Sequence, residues 1–396
     1  MWNDASNNKK VVCFALFFLL IFGFCFNKNM KFAYAETGEA EQKLEQTTEE
    51  ILNKIDTDEL DEFLSSGSFI GYFSFKDFAV DVLSGKYLTN YNSVFDFFLA
   101  SISQNFKQNM RFFVCLFVCV VLFELFKCFC ENKYMEVKKS IKIIFCFLFC
   151  VIILSSFRSF YETIGLFVDR VFGFVSILFP ILIGLITMSG SVVSASVYSS
   201  FSVFILSTGA YVVKYVLLPV SVSIFILSLF GSVMKNKKFD TVCDIAKLVF
   251  KYTVILFFSV FGILSLVNVI SASSRDGLNM KLTKYAIKNY VPVLGGYISE
   301  GFDFLKSCSV LIKNAFGICS VLILLSMAVL PLVMVIVFVF GFKILAAVTG
   351  YVGDGTFAEM FGNISKAYSN FLTVLIGLFL IMFVFIFLLI MSVWVV

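Results

Sequence analysis

The sequence predicts an all-α, polytopic integral membrane helical bundle of about eight transmembrane helices, with a small helical extracytoplasmic domain on its N-terminal side. Three observations carry that expectation. Of the 396 residues, 60% are hydrophobic, and mean hydropathy is +0.95, well above the roughly half-apolar make-up of soluble domains. Only 15% are charged, and they cluster between apolar runs, several of which reach the ~20 helical residues that cross a bilayer. Charge is also divided along the chain: residues 36–110 are strongly acidic, whereas the part from 111 onward is net basic.

The elements follow in order. Lys9 and Lys10 precede an apolar run from Val11 to Phe26, and Ala33-Tyr34-Ala35 places small residues before Glu36. This is the pattern of a cleaved export signal, residues 1–35; an uncleaved anchor helix would leave the same orientation.

Residues 36–110 read as an acidic helical extracytoplasmic domain. Leu44, Ile51, Leu52, Ile55, Leu60, Phe63 and Leu64 recur at helical spacing. Ser74 as N-cap, with Asp77 three residues on, opens a second helix that buries Phe75, Phe78, Ala79, Val82 and Leu83 and stops at Gly85. A third, from about Ser93 to Met110, carries Phe95, Phe98, Leu99, Ile102 and Phe106. A solvated linker is the alternative reading of this segment.

Residues 111–396 form the multi-pass domain. Spans are expected at 112–130, 141–157, 164–188, 192–213, 215–234, 248–270, 317–342 and 371–394. Almost no loop separates the three between 164 and 234, so a broken or re-entrant helix is open there, and Pro180 and Pro219 imply kinks. With the N-terminal segment exported, the loop bearing Lys133, Lys138 and Lys139 and the one bearing Lys235, Lys237 and Lys238 fall on the cytoplasmic side. Residues 271–313 fall outside yet are basic. They hold Arg275, Lys281, Lys284 and Lys288, and the three lysines share a helix face opposite Leu278, Leu282, Tyr285 and Ile287, which describes an amphipathic interfacial segment lying on lipid headgroups or on the acidic domain; the alternative is that 248–270 does not span fully.

Chemistry-bearing residues are few. The chain has no His, which removes the usual near-neutral base and the commonest metal ligand. Eleven Cys are present, none between 36 and 110, so no disulfide framework is expected there. Cys115/Cys119 and Cys146/Cys150 read as small packing residues. No phosphate loop, zinc motif or nucleophile–base pair occurs, so no catalytic, cofactor or metal residues and no nucleic-acid surface are expected. Glu124, beside Lys127, and Asp169-Arg170 are intramembrane charges, read as structural pairs with neighbouring bases or as coupling groups of a transporter. Ser189, Gly190, Ser191, Ser194 and Ser196 form a tract that suits close helix packing or a conduit lining. Pro180 with Gly184 is echoed by Pro292 with Gly295 and Gly296, either by chance or as the internal repeat of a secondary transporter with broken-helix sites.

Several stretches together resemble the stage III sporulation protein AE family. They are Phe179-Pro180-Ile-Leu with Ser189-Gly190-Ser191-Val192-Val193-Ser194-Ala195, Ser271-Ala-Ser-Ser-Arg275-Asp276-Gly277, Asn289-Tyr-Val-Pro292-Val-Leu-Gly295, and Val310-Leu-Ile-Lys313-Asn314-Ala-Phe-Gly317. The resemblance implies a non-enzymatic, permease-like core component of the channel complex between mother cell and forespore, placed in the outer forespore membrane. It implies as partners the other stage III sporulation A proteins and stage II sporulation protein Q, besides membrane lipid, and leaves a homo-oligomer open.

Overall fold

A computed structural model describes residues 55–65, 74–83, 91–129, 135–234, 237–290, 295–352 and 355–391. The export signal, the expected helix onset near Leu44, the Gly85 stop and Pro292 lie outside these residues. Among the described residues all regular structure is helical.

Two short helices come first, α1 (Asp58–Ser65) and α2 (Phe75–Leu83). The stop expected at Met110 is absent: α3 runs unbroken from Tyr91 to Phe129, joining the third helix expected before the membrane to the first expected span. The polar stretch around Gln104 and Asn109 lowers hydropathy, but it contains neither Gly nor Pro, so nothing ends the helix.

The eight expected spans are carried on six long helical runs. The stretches 141–157 and 164–188 lie in tandem on α4 (Met135–Met188). The residues between them hold an i,i+4 pair, Arg158 to Glu162 at 3.0 Å, which supports helix instead of loop. Likewise α5 (Val192–Val212) continues through a π turn (Val213–Leu217) into α6 (Leu218–Met234). Pro219 explains the π turn, because it has no N–H to donate and crowds the carbonyl four residues back, so the backbone widens by one residue. Pro180 and Pro331 sit inside α4 and α8 without ending them.

The expected interfacial segment 271–313 is not a separate helix. Residues 271–290 prolong α7 (Lys237–Tyr290), and 295–313 open α8 (Gly295–Val352). Last comes α9 (Gly355–Met391). Among the described residues six helices are long and apolar enough to cross a membrane: Phe106–Phe129, Ser140–Met188, Val192–Ser232, Thr241–Leu264, Phe304–Tyr351 and Gly355–Ile390.

The central pair is α8 and α9. Half of the most apolar stretch of α8 is buried, against 22% in α3 and in α7. Bulky residues of α3 such as Phe117, Val118 and Phe126, and of α4 such as Ile144, Phe147 and Val151, are exposed, a surface that hydrocarbon solvates at no cost. Side-chain contacts mark the two ends of the bundle. At one, Lys142 of α4 donates to the Thr356 hydroxyl of α9 at 2.7 Å and Phe123 of α3 meets Phe357 edge-on at 4.7 Å. At the other, Phe179 of α4 stacks on Phe385 of α9 at 5.0 Å.

The two short helices α1 and α2 dock on the flank of this bundle. Phe63 of α1 lies 6.4 Å from Phe174 of α4, and Phe75 of α2 meets Phe316 of α8 at 4.9 Å. Ser74 holds the expected N-cap position of α2, its carbonyl accepting the Phe78 amide at 3.1 Å, while the side chain that accepts the first free amide is that of Asp61 on α1. Its carboxylate accepts the Phe75 amide at 2.6 Å and the Ser74 hydroxyl at 3.2 Å.

Candidate functional site

The interior where α4, α6, α8 and α9 cross is aromatic. Tyr368 of α9 is fully buried among Phe160 (4.6 Å), Phe338 (5.1 Å), Phe225 (5.3 Å) and Phe342 (5.4 Å), with Phe157 and Phe371 completing the shell. Rings at these separations and inclinations gain quadrupole attraction beyond their area burial. The Tyr368 hydroxyl has no hydrogen-bond partner there. This level of the bundle is filled with apolar side chains.

The small-residue tract turns out to be a helix terminus. Gly190 adopts φ 84°, its amide bonds to the Thr187 carbonyl at 2.9 Å, and the Ser191 amide reaches the Ile186 carbonyl at 3.2 Å. These two bonds make a Schellman cap on α4, and the left-handed backbone explains glycine at that position. Ser189 is buried and donates to the Ile186 carbonyl, and Ser191 opens α5. Ser194 is buried one turn into α5, whereas Ser196 is exposed and donates to its own helix at the Val193 carbonyl. The tract therefore makes the hairpin between α4 and α5.

Gly184 is on an exposed face, and an added Cβ would meet nothing within 4 Å, so it mediates no close approach within the chain. Pro180, on the same helix, is also exposed. Gly295 and Gly296 are the first residues of α8. Close approaches occur elsewhere: a Cβ on Gly341 would collide with the Phe113 ring, and one on Gly317 with the Ile390 side chain. Spacing gives no hint of either, because each matters only through its partner on another helix.

Glu124 and Asp169 are both paired. Lys127 bonds Glu124 at 3.0 Å within one turn of α3. Asp169 accepts Lys214 of the π turn at 2.7 Å, a base 45 residues away that the sequence did not suggest, and Arg170 is exposed beside it. Arg275, Lys281, Lys284 and Lys288 all fall on the prolonged end of α7. Among the described residues no group of His, Cys, Asp or Glu is arranged to hold a metal.

One polar pair went unsingled in the sequence. Lys313 of α8 is fully buried, and its ammonium donates to the Ile390 carbonyl in the last turn of α9 at 2.6 Å. Its neighbour Asn314 is 7% exposed, with a side-chain oxygen that no donor reaches. A further inter-helix bond joins Asn363 of α9 to Ser232 of α6 at 3.1 Å.

With this geometry in view, the family model described as stage III sporulation protein AE matches residues 73–393. Stage III sporulation protein AE of Bacillus subtilis (strain 168) is 27% identical over 201 residues, an alignment covering 50% of each chain. The match thus spans half the length of that relative. No solved structure matches this chain.

Proposed function

The chain belongs to the stage III sporulation protein AE family, and from that premise we propose that it is a non-enzymatic membrane core subunit of a sporulation-specific channel or secretion complex between mother cell and forespore. In this reading it resides in the outer forespore membrane with its acidic N-terminal segment outside the cytoplasm. Its partners are the other stage III sporulation A proteins and stage II sporulation protein Q. Any conduit forms between subunits.

The observation that carries this reading is the filled interior around Tyr368. An autonomous carrier needs a wettable substrate site near mid-bundle, formed by broken helices. Here Phe157, Phe160, Phe225, Phe338, Phe342 and Phe371 occupy that level, and α4 continues through Pro180. The paired state of Glu124 and Asp169 also fits a structural role better than a coupling one. Replacing both together, Glu124→Gln with Asp169→Asn, tests the reading. A scaffold keeps spore formation wherever the protein still accumulates in the membrane. A coupled secondary transporter loses function at unchanged protein level.

A further inference from the structure

Lys313 sits where three helices meet. On α8, residues three and four positions on share its face. One of them, Phe316, packs against Phe75 of the exported helix α2, and the other, Gly317, lies under Ile390 of α9. Lys313 itself is fully buried and donates to the Ile390 carbonyl at 2.6 Å.

A buried ammonium is costly unless something compensates its charge. No acidic residue lies on α9 beyond Glu359 or on α4 between Asp169 and Met188, and the two carboxylates of α2, Asp77 (exposed) and Asp81 (half-buried), make no bond to Lys313. The compensating group is the Ile390 carbonyl, which turns the negative end of its peptide dipole toward the ammonium. Such a bond holds its strength only while water is excluded, because water offers both partners an alternative. On the exported side the cover is α2, whose Phe75, Phe78 and Ala79 are buried. Asp61 of α1 in turn holds the first turn of α2.

We propose that Lys313 is a clamp on the C-terminal end of α9, and that docking of the exported helix α2 keeps the clamp dry. The exported segment and the order of the central α8–α9 pair are then coupled: whatever lifts α2 admits water to Lys313 and loosens the last turns of α9. This device lies in the chain itself and does not depend on which complex the chain serves.

The test is amide hydrogen exchange on the full-length protein in lipid nanodiscs, comparing residues 380–391 of α9 with the internal reference 360–372. Lys313→Met keeps the side-chain length and removes the charge. It should speed exchange at 380–391 at least tenfold and leave the reference unchanged. Phe75→Ala, which removes the α2 contact with Phe316 and leaves every residue of α8 and α9 unchanged, should do the same, and the double variant should exchange no faster than the faster single. Lys313→Arg, still cationic, should retain most of the protection. Unchanged exchange at 380–391 in Lys313→Met overturns the clamp. Unchanged exchange there in Phe75→Ala, with α2 itself exchanging freely, overturns the coupling. Additive effects in the double variant also overturn it. If Lys313→Met fails to accumulate, Phe75→Ala and Lys313→Arg still decide the question.

Discussion

Asp61 caps a helix to which it does not belong: its carboxylate, on α1, accepts the Phe75 amide that opens α2 at 2.6 Å. The first amides of a helix lack partners and carry the positive end of its dipole, so an anion there is stabilising twice over. Asp61 thereby ties the two short helices together.

Replacing that group should release α2. Asp61→Ala should cost about 0.5–2 kcal/mol, the usual range for losing a helix cap. Limited proteolysis between residues 66 and 83 should accelerate while the membrane helices stay protected. Asp61→Asn should fall between the variant and the parent, since an amide oxygen still accepts but carries no charge.

Glycines should divide by their neighbours. Gly341→Leu drives a side chain into the Phe113 ring and should destabilise by about 1–3 kcal/mol, the usual penalty of overpacking. Gly184→Ala meets open space and should leave thermal stability in detergent unchanged. The comparison is read from melting curves of the two variants beside the parent.

Tyr368 should tolerate loss of its hydroxyl but not of its ring. The buried oxygen has no partner, so Tyr368→Phe removes an uncompensated polar group and should be neutral or stabilising by up to ~1 kcal/mol. Tyr368→Ala empties the aromatic shell and should cost about 3–5 kcal/mol. Chemical denaturation in detergent measures both.

The turn between α4 and α5 discriminates six membrane crossings from eight. With eight, residues 189–191 lie on the cytoplasmic side. With one crossing for each of the six helical runs, the turn lies on the same side as the exported N-terminal segment. Val192 is 60% exposed. In a cysteine-free background expressed in growing cells, where the outer face of the membrane meets the medium, Val192→Cys should react with a membrane-impermeant thiol reagent, whereas cysteine at position 137 or 236 should not. Protection of position 192 would restore the eight-crossing topology.

The helical class, the membrane setting and α2 were legible in composition and period. Helix ends were less so. Hydropathy falls at Arg158 and at Lys214, yet a helix stops only when the backbone is forced to stop, and at these points a salt bridge and a π turn carry it through. Gly190, by contrast, ends α4 through its left-handed backbone. The Ser189–Ser196 tract drew attention by composition, and its first three residues form that turn. Lys313 stood in plain view within a family stretch. Only the fold shows it buried against the end of a helix that begins about forty residues further along the chain.

The central claim is that this chain works as a structural subunit of a larger membrane assembly. The most direct test is to purify it, tagged and functional, in mild detergent from cells arrested at the engulfed-forespore stage, and to quantify what comes with it. The other stage III sporulation A proteins and stage II sporulation protein Q should be recovered with it in fixed ratio. Recovery of the chain alone, from cells in which the same tagged protein supports normal spore formation, would contradict that claim.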